Sequence, residues 1–334
     1  MTKKRVLLVV SVIGIGVAIG GLALGGLSKS GKLPQIVGTF QLGGRTLTNY
    51  YVEGWKSSIT SVRSIAVAPD KTVWFVTDSM NGNEGIYRFD GGKWSQYTHC
   101  VGGYPSAVTR EGALWFGCIG EALRFDGKRW TNYAIQDGDE NRSIYAIAVA
   151  HNDAVWFGTD KGIRRFDGKA WTTYTTRDGL VDNYVLSAAV ASDGALWFGT
   201  LMGASRFDGE KWTNYTIPGG VARNAVWSIV ITPDGVLWFG TNQNGVSRFD
   251  GEKWTTFTTQ DGLAGNFIWS MAVAPDGTLW FGTDNGLSHF DGETWTTYTT
   301  EDGLPGTTIS AVTVEADGTV WFSSTGGYIS QYLP

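Results

Sequence analysis

The chain has 334 residues and a formal net charge of −5, with 42% hydrophobic residues, 47 glycines and 16 tryptophans. This hydrophobic content excludes an intrinsically disordered chain, and the abundance of turn-forming glycine is typical of a globular all-β protein. The acidic charge is a poor match for nucleic acid, so no nucleic-acid partner is expected.

The N-terminal residues predict a membrane segment. Residues 6–27 form an uncharged run of 22 residues, which is long enough to span a bilayer as a helix. Lys3, Lys4 and Arg5 precede the run, so the positive-inside rule keeps residues 1–5 in the cytoplasm and exports the rest. A cleaved signal peptide, which would make the protein secreted, stays open as the alternative.

A tether of Ser, Gly, Lys and Pro is predicted at residues 28–39, before the globular part. Residues 1–39 contribute +5 to the net charge of −5, so the remainder of the chain carries −10. The exported body at residues 40–334 is therefore strongly acidic.

A repeat of 41 or 42 residues occupies that body. Its most regular mark is a Trp-Phe pair, which occurs seven times, at Trp74, Trp115, Trp156, Trp197, Trp238, Trp280 and Trp321. A second block, Phe-Asp-Gly-x-x-Trp, occurs six times, beginning at Phe89, Phe125, Phe166, Phe207, Phe249 and Phe290. Periods of this length indicate a propeller or a solenoid.

One unit predicts four short antiparallel strands, here called A to D. In residues 226–259, β-branched and aromatic runs alternate with Pro-Asp-Gly, Asn-Gln-Asn-Gly and Asp-Gly turns. Four strands in about 41 residues are typical of a propeller blade, so seven units predict a seven-bladed β-propeller.

The chain ends explain a stray fragment. Residues 40–50, FQLGGRTLTNY, are a loosened copy of FDGKRWTNY at 125–133, while the last unit stops after its third strand. A linear stack would leave bare sheet edges, which promote aggregation. We therefore expect an outer strand at 46–51 to pair with the C-terminal blade at 328–333 and close the ring.

The repeated pattern, as in LWFGTDNGLSHFDGETWTTYTTEDGL at 279–304, resembles the two-component regulator propeller repeat. The resemblance covers essentially all of residues 40–334. It implies an extracytoplasmic sensory module, commonly ahead of a membrane helix and a histidine kinase, neither of which follows the propeller here. Fold alone does not establish function, so signalling stays an implication of the resemblance.

Residues shared by every blade are predicted to be scaffold, whereas those that differ are candidates for a site. The Phe-Asp-Gly turns, the preceding Arg and the Trp residues of strands B and D recur. The residue eleven before each strand-B Trp varies, and it lies at the start of strand A, beside the central channel. It reads Arg63, Tyr104, Tyr145, Leu186, Trp227, Trp269 and Ser310.

A two-residue Asp-Gly hairpin would place this position opposite the residue four after the Trp. The predicted pairs are Arg63/Asp78, Tyr145/Asp160, Trp227/Asn242 and Trp269/Asp284. Aromatic rings beside carboxylates and amides suit a small molecule, glycan or peptide, and these residues with Tyr104 are the predicted ligand-binding set. The alternative is that they merely fill the channel mouth.

Cys100 and Cys118 lie on that same face, in a short D–A connection and at the end of strand B of the next blade. An oxidising compartment favours a disulfide between them, with two buried thiols as the alternative. The long B–C loop at 78–85 beside this short connection could shape an uneven pocket.

No catalytic residues, metal ligands or cofactors are predicted. The three His are scattered, and the segment from Asp137 to Asn141 lacks the Gly and Glu that a calcium loop needs. The expected function is a membrane-anchored, non-catalytic binding propeller with a possible signalling partner. The alternative is an enzyme similar to streptogramin lyases, seven-bladed propellers whose site resembles a His/Glu cluster with magnesium. Asp78, Asp160 and Asp284 could bind metal there if they converged.

Overall fold

The computed structural model describes residues 34–51, 61–78, 85–97, 100, 106–135, 143–217 and 225–334. These residues form seven antiparallel sheets, and the first strands of consecutive sheets contact one another around a ring that includes the last and the first. The all-β, seven-bladed propeller is therefore confirmed. A short 3₁₀ helix at Thr300–Asp302 interrupts the connection before the last blade.

Blades 1 to 6 each contain four strands, in the order A to D from the channel outward. Blades 1 to 3 are β3 (Ser61–Val67), β4 (Val73–Asp78), β5 (Gly85–Phe89), β6 (Trp94–Tyr97); β7 (Ser106–Val108), β8 (Leu114–Gly117), β9 (Glu121–Phe125), β10 (Trp130–Ala134); and β11 (Ile144–Val149), β12 (Val155–Thr159), β13 (Gly162–Phe166), β14 (Trp171–Tyr174). Blades 4 to 6 are β15 (Val185–Val190), β16 (Leu196–Thr200), β17 (Gly203–Phe207), β18 (Trp212–Tyr215); β19 (Val226–Ile231), β20 (Leu237–Thr241), β21 (Val246–Phe249), β22 (Trp254–Phe257); and β23 (Ile268–Val273), β24 (Leu279–Thr283), β25 (Gly286–Phe290), β26 (Trp295–Tyr298).

Blade 7 takes strands from both ends of the chain. Its sheet has five strands in the order β1-β2-β29-β28-β27, from β1 (Gln35–Leu42), β2 (Arg45–Tyr51), β27 (Ile309–Val314), β28 (Val320–Ser324) and β29 (Tyr328–Tyr332). Leu47 pairs with Tyr332, and Tyr51 pairs with Tyr328. The outermost strand, β1, was not predicted, and its first residues fall in the segment assigned to the tether.

The repeated Trp-Phe-Gly run forms the second strand of a blade and is buried on both sides. The Phe packs against a ring of its own blade, as Phe239 does against Trp254. The Trp packs against rings of the next blade, as Trp238 does against Phe281 and Phe290. Gly240 is needed because a Cβ there would come within 2.6 Å of Ile268, the first residue of the next blade. The repeated Trp and Gly residues are thus blade-to-blade packing, as their recurrence predicts.

The A–B connection differs from the two-residue hairpin that the sequence predicts. In blade 5, Thr232 donates its backbone N–H to the carbonyl of Val236, which leaves a three-residue loop, and Gly235 at its end has φ +89°. A type I turn followed by a left-handed residue is a common three-residue hairpin. The extra loop residue shifts the pairing of strands A and B by one residue relative to the two-residue hairpin.

The predicted membrane segment, residues 6–27, lies outside the described residues. Within the described ranges, no helix is long and apolar enough to cross a bilayer.

Candidate functional site

In the six blades where the structure describes it, the variable position is a β-bulge. In blade 5, Val226 pairs with Thr241 and Ser228 with Gly240, so Trp227 is an extra residue without a partner across the strand pair. The same shift occurs at the other five described mouth positions, Arg63, Tyr145, Leu186, Trp269 and Ser310. Bulges re-aim side chains and are common beside functional sites. Tyr104 lies outside the described residues.

The four predicted cross-strand pairs are wrong in register. The bulge and the three-residue A–B loop together displace the partner, so Asp78 pairs with Ser61 rather than Arg63. Similarly, the partners predicted for Tyr145, Trp227 and Trp269, namely Asp160, Asn242 and Asp284, lie beyond the residues that flank each bulge.

The displaced polar residues instead hold the connection before strand A. Asn242 forms a β-bridge to Phe267 of the next blade. Asp284 accepts a hydrogen bond from the Phe267 backbone N–H at 3.2 Å through Oδ1, and its own N–H donates to the Phe267 carbonyl at 3.2 Å. These contacts fix the backbone that carries the neighbouring bulge.

An apolar cluster, here called the aromatic arc, lines one side of the mouth across blades 3 to 6. Its members are Tyr145, Tyr184, Leu186, Leu201, Ala225, Trp227, Phe267 and Trp269. The structure therefore brings together three of the predicted site residues, Tyr145, Trp227 and Trp269, on one continuous surface.

The rings of the aromatic arc contact one another closely. Phe267 stacks on Trp269 with centroids 4.1 Å apart, and Trp227 meets the edge of Trp269 at 5.5 Å. Tyr145 stacks on Tyr184 at 5.0 Å, and the Tyr184 hydroxyl lies 2.8 Å from the Tyr145 hydroxyl. The arc is thus a pre-packed cluster of flat rings that includes two tyrosine hydroxyls and two indoles.

Two neighbouring polar groups of the arc have no hydrogen-bond partner. The indole Nε1 atoms of Trp227 and Trp269 are both buried without an acceptor, and Trp227 is only 5% exposed. Oδ1 of Asp160, in the B–C turn of blade 3, is likewise buried and unpaired. The indole Nε1 of Trp156, between blades 3 and 4, is also buried without an acceptor, so the informative feature is that two such donors belong to rings in contact with each other.

The other side of the mouth is polar. Arg63 of blade 1 is 6% exposed, and the Ser310 hydroxyl donates to the carbonyl of Val62 at 3.0 Å. The ring of mouth positions is therefore divided into an aromatic half and a polar half.

Five arc residues were not in the predicted ligand-binding set: Tyr184, Leu186, Leu201, Ala225 and Phe267. Leu201 lies in the B–C turn of blade 4. Leu186 was recognised as variable but not chosen, because an aliphatic residue gave no chemical signal. The other three stand just before the uniform first residue of strand A. Comparing blades at that earlier position would have found them, since it reads Ser61, Ser143, Tyr184, Ala225, Phe267 and Thr308.

Cys100 and Cys118 are joined by a disulfide, as predicted, with Cα atoms 5.3 Å apart. Both residues are 1% exposed and belong to the apolar core between blades 1 and 2. The bridge fixes the connection that leads into blade 2, although residues 101–105 lie outside the described part of the chain. The long loop at 79–84 lies outside it as well.

The recurring Arg and Asp residues have the predicted scaffold roles. Asp250 accepts backbone N–H groups from Lys253 at 2.8 Å and Glu252 at 3.1 Å, and these bonds lower the pKa of its carboxyl. Arg248 lies 3.2 Å from the Asp250 carboxylate. Arg206 makes the equivalent pair with Asp208 at 3.6 Å.

No group of three or more His, Cys, Asp or Glu side chains capable of holding a metal occurs among the described residues. His151 lies in an A–B loop on the face opposite the mouth. His289 packs on Trp280 at 4.5 Å, and its burial lowers its pKa. His99 and the segment 137–141 lie outside the described ranges.

A shallow groove also opens on the opposite face, between blades 2 and 3. Glu111, Arg124 and Asp153 line it together with Trp115. Most of its lining is the scaffold that every blade interface repeats, including Trp115 and Arg124. The aromatic arc, which no other described part of the ring repeats, is therefore the stronger candidate.

Two segments of the chain, residues 220–243 and 262–285, match the two component regulator propeller family. The extracellular domain of the putative hybrid two component system BT3049 from B. thetaiotaomicron shares the fold, with a TM-score of 0.75 and 21% identity. The match covers 90% of this chain and 45% of that chain, so this protein spans less than half the length of that relative.

Two further solved structures have the same architecture. Catalytically inactive virginiamycin B lyase from Staphylococcus aureus with quinupristin has a TM-score of 0.70 and 18% identity, covering 86% of this chain and 99% of the lyase. The extracellular domain of the putative hybrid two component system BT4673 from B. thetaiotaomicron has a TM-score of 0.70 and 19% identity, covering 87% and 39%. These identities show the fold alone. No curated protein matches the sequence significantly.

Proposed function

Because the chain carries the two component regulator propeller repeat, we propose that it is a membrane-anchored, extracytoplasmic propeller that binds a ligand at the channel mouth without chemical conversion. The observation that carries the proposal is that the contacting rings of Trp227 and Trp269 each bury an indole N–H group that lacks an acceptor. A buried donor without a partner costs roughly 1–3 kcal/mol, which a ligand acceptor would recover.

The arc also indicates the chemistry of the ligand. The two indole donors would bind a carbonyl, carboxylate or hydroxyl oxygen of the ligand. The flat ring faces would pack against an apolar or planar part of the same ligand. Asp160 offers an acceptor to a ligand donor elsewhere on the rim. A small metabolite, a glycan or a peptide group meets these requirements.

Export and anchoring are supported by sequence and by the disulfide. Residues 6–27 are uncharged and follow Lys3, Lys4 and Arg5, so an anchored chain would place its propeller outside the cytoplasm. The Cys100–Cys118 bridge fits this location, since disulfides persist in oxidising compartments. A sensory role would further require a signalling partner protein.

The binding proposal is tested on metabolite, glycan and peptide arrays with the full chain and with a Trp227→Phe/Trp269→Phe variant. Phenylalanine keeps most of the ring area and removes only the indole donors. The affinity for each specific ligand should fall roughly 10- to 100-fold in the variant, since each lost hydrogen bond costs about 1 kcal/mol.

Trp212→Phe is the matched control, because Trp212 is a repeated scaffold residue in β18. Hits that survive the double substitution unchanged would remove the arc from the proposal. Membrane fractionation with intact-mass measurement tests the anchor separately, and a mature chain lacking residues 6–27 would exclude it.

A metal-dependent enzyme similar to streptogramin lyases is the second candidate, favoured by the match to almost the full length of the lyase. Its test is a magnesium titration of the full chain, followed by tryptophan fluorescence and by product analysis with a streptogramin. A saturable response together with ring opening of the antibiotic would replace the binding proposal with the enzyme.

A further inference from the structure

The outermost strand of blade 7 exposes an unusual amount of apolar surface. Ile36, Val37 and Phe40 of β1 are 64%, 51% and 50% exposed, and in the described part of the chain only Met202, at 53%, is another large apolar residue exposed to this degree. β1 has no strand on its outer side, and most of its residues are exposed on both faces of the sheet. An apolar, unpaired edge strand ordinarily needs a cover.

The charge of this region is opposite to that of the rest of the molecule. Between residue 28 and Glu53 the sequence contains three basic residues, Lys29, Lys32 and Arg45, and no acidic residue. Residues 1–52 contribute +6 to the overall net charge of −5, so the chain from Glu53 onward carries −11. Apolar side chains beside an exclusively basic stretch match the surface of an anionic bilayer.

The position of β1 in the chain brings it to that surface. Only seven residues, 28–34, separate the end of the uncharged run from Gln35. At roughly 3.3–3.6 Å for each residue, even a fully extended connection holds Ile36 within about 30 Å of the end of the proposed anchor. A second copy of the chain could cover β1 only by fitting within this distance of the membrane, so the membrane itself is the nearer partner.

We propose that residues 35–42 lie against the anionic surface of the anchoring membrane, with Ile36, Val37 and Phe40 inserted among the lipid headgroups. This inference rests on the membrane anchor of the proposed function. Since blade 7 then meets the membrane through its outer edge, the channel axis lies roughly parallel to the bilayer and the mouth stays open to the side. Ligand reaches the aromatic arc without passing the membrane.

The test uses the full chain in nanodiscs of phosphatidylcholine with phosphatidylglycerol, carrying one thiol-reactive fluorophore. The sequence has no other free thiol once Cys100 and Cys118 are joined, so Val37→Cys places the label on β1. Met202→Cys is the matched control, because Met202 is 53% exposed in the B–C turn of blade 4. Quenching by spin-labelled lipid is compared with quenching by aqueous iodide.

We expect lipid quenching at position 37 but not at 202, and iodide quenching at 37 roughly three- to tenfold weaker than at 202, as for a side chain in the interface. Adding Ile36→Ser and Phe40→Ser should restore iodide quenching at 37, and nanodiscs of phosphatidylcholine alone should weaken the lipid signal.

Three results would overturn the inference. Equal iodide access at 37 and 202 in chains that are incorporated would refute the docking and leave the anchor intact. A label shielded from both quenchers, with crosslinking between copies through position 37, would assign β1 to self-association. Failure of the chain to incorporate at all would refute the anchor, and the docking with it.

Discussion

Trp227 shows how a bulge turns a scaffold position into a candidate site. The same bulge occurs in all six blades whose mouth position is described, yet among these only blades 5 and 6 have a tryptophan as the extra residue. The sequence identified the position as a candidate beside the channel, and the structure shows that the Trp227 side chain is only 5% exposed within the aromatic arc.

Alanine and phenylalanine at position 227 should therefore behave differently. Trp227→Ala removes a buried ring and should lower the free energy of unfolding by about 3–5 kcal/mol. Trp227→Phe should cost much less, because most of the ring contact remains. Urea denaturation of both variants measures the difference. Equal, small losses would show that the arc does not contribute to the core.

Asp153 is a position where the chain departs from its own repeat. It has φ +64° at the end of an A–B loop, where five other blades place a glycine and blade 1 places Lys71 with φ +67°. Left-handed backbone is unfavourable for residues with a Cβ. Asp153→Gly should therefore stabilise the protein by about 0.5–1 kcal/mol.

The reciprocal control for this prediction is Gly235→Asp, at φ +89° in an open position of blade 5. It should destabilise the protein by at least as much as Asp153→Gly stabilises it. Thermal unfolding of the two variants checks the signs, and a loss of stability in Asp153→Gly would contradict the backbone argument.

Glu315 makes folding sensitive to pH. Burial raises the pKa of its carboxyl above the ordinary 4.5, although the Trp321 indole donates to Oε1 at 2.7 Å. Folding therefore favours the protonated form, and its contribution is complete below the unfolded pKa and is lost as pH rises through the folded pKa. Glu315→Gln, which keeps the acceptor, should raise the Tm at pH 7 relative to wild type but have little effect at pH 4.

Thermal unfolding between pH 4 and pH 8 measures this effect. A gain in Tm from Glu315→Gln that is the same at every pH would show that the carboxyl does not titrate differently in the folded and unfolded chains.

At the scale of the element, the disulfide ties the connection between blades 1 and 2 to the residue that follows the second strand of blade 2. The two cysteines are 18 residues apart in sequence. In the chain-entropy model, closing a loop of this size stabilises the fold by about 3 kcal/mol. Cys100→Ala/Cys118→Ala should lose about that amount, measured by denaturant unfolding.

The same loss should appear when the wild-type chain is reduced, whereas a reducing agent should leave the double variant unchanged. If the oxidised wild type and the double variant had the same free energy of unfolding, the bridge would not stabilise the fold.

At the scale of the whole molecule, Tyr50 connects the two ends of the chain to the first blade. Its ring stacks on Trp321 of blade 7 at 5.8 Å and contacts Phe89 and Trp94 of blade 1 at 5.6 Å each. If ring closure holds the propeller together, Tyr50→Ala should lower the free energy of unfolding by about 3–5 kcal/mol in one cooperative transition.

Phe40→Ala is the control for the closure, since Phe40 lies on the adjacent strand but is 50% exposed. Its effect should stay within about 0.5 kcal/mol in the absence of membrane. Separate transitions by circular dichroism and tryptophan fluorescence in Tyr50→Ala would show that the blades unfold independently.

The sequence by itself determined the number of blades, the four-strand unit and the scaffold roles of the recurring residues. These features depend on local turn chemistry and on packing that each blade repeats with its neighbour, so they can be read from spacing; Gly240 beneath Ile268 is one such contact. The disulfide was predictable too, because the repeat places Cys100 and Cys118 on one face of adjoining blades.

Only the tertiary structure decided which side chains meet at the mouth. A bulge adds one residue to a strand without any mark in the turn, so the pairing of Trp227 with Asn242 could not be corrected from the sequence. The aromatic arc joins residues from four blades, and the contact of Phe267 with Trp269 and Trp227 depends on how consecutive blades are packed around the axis. Register and packing between blades are properties of the closed ring, and no single repeat contains them.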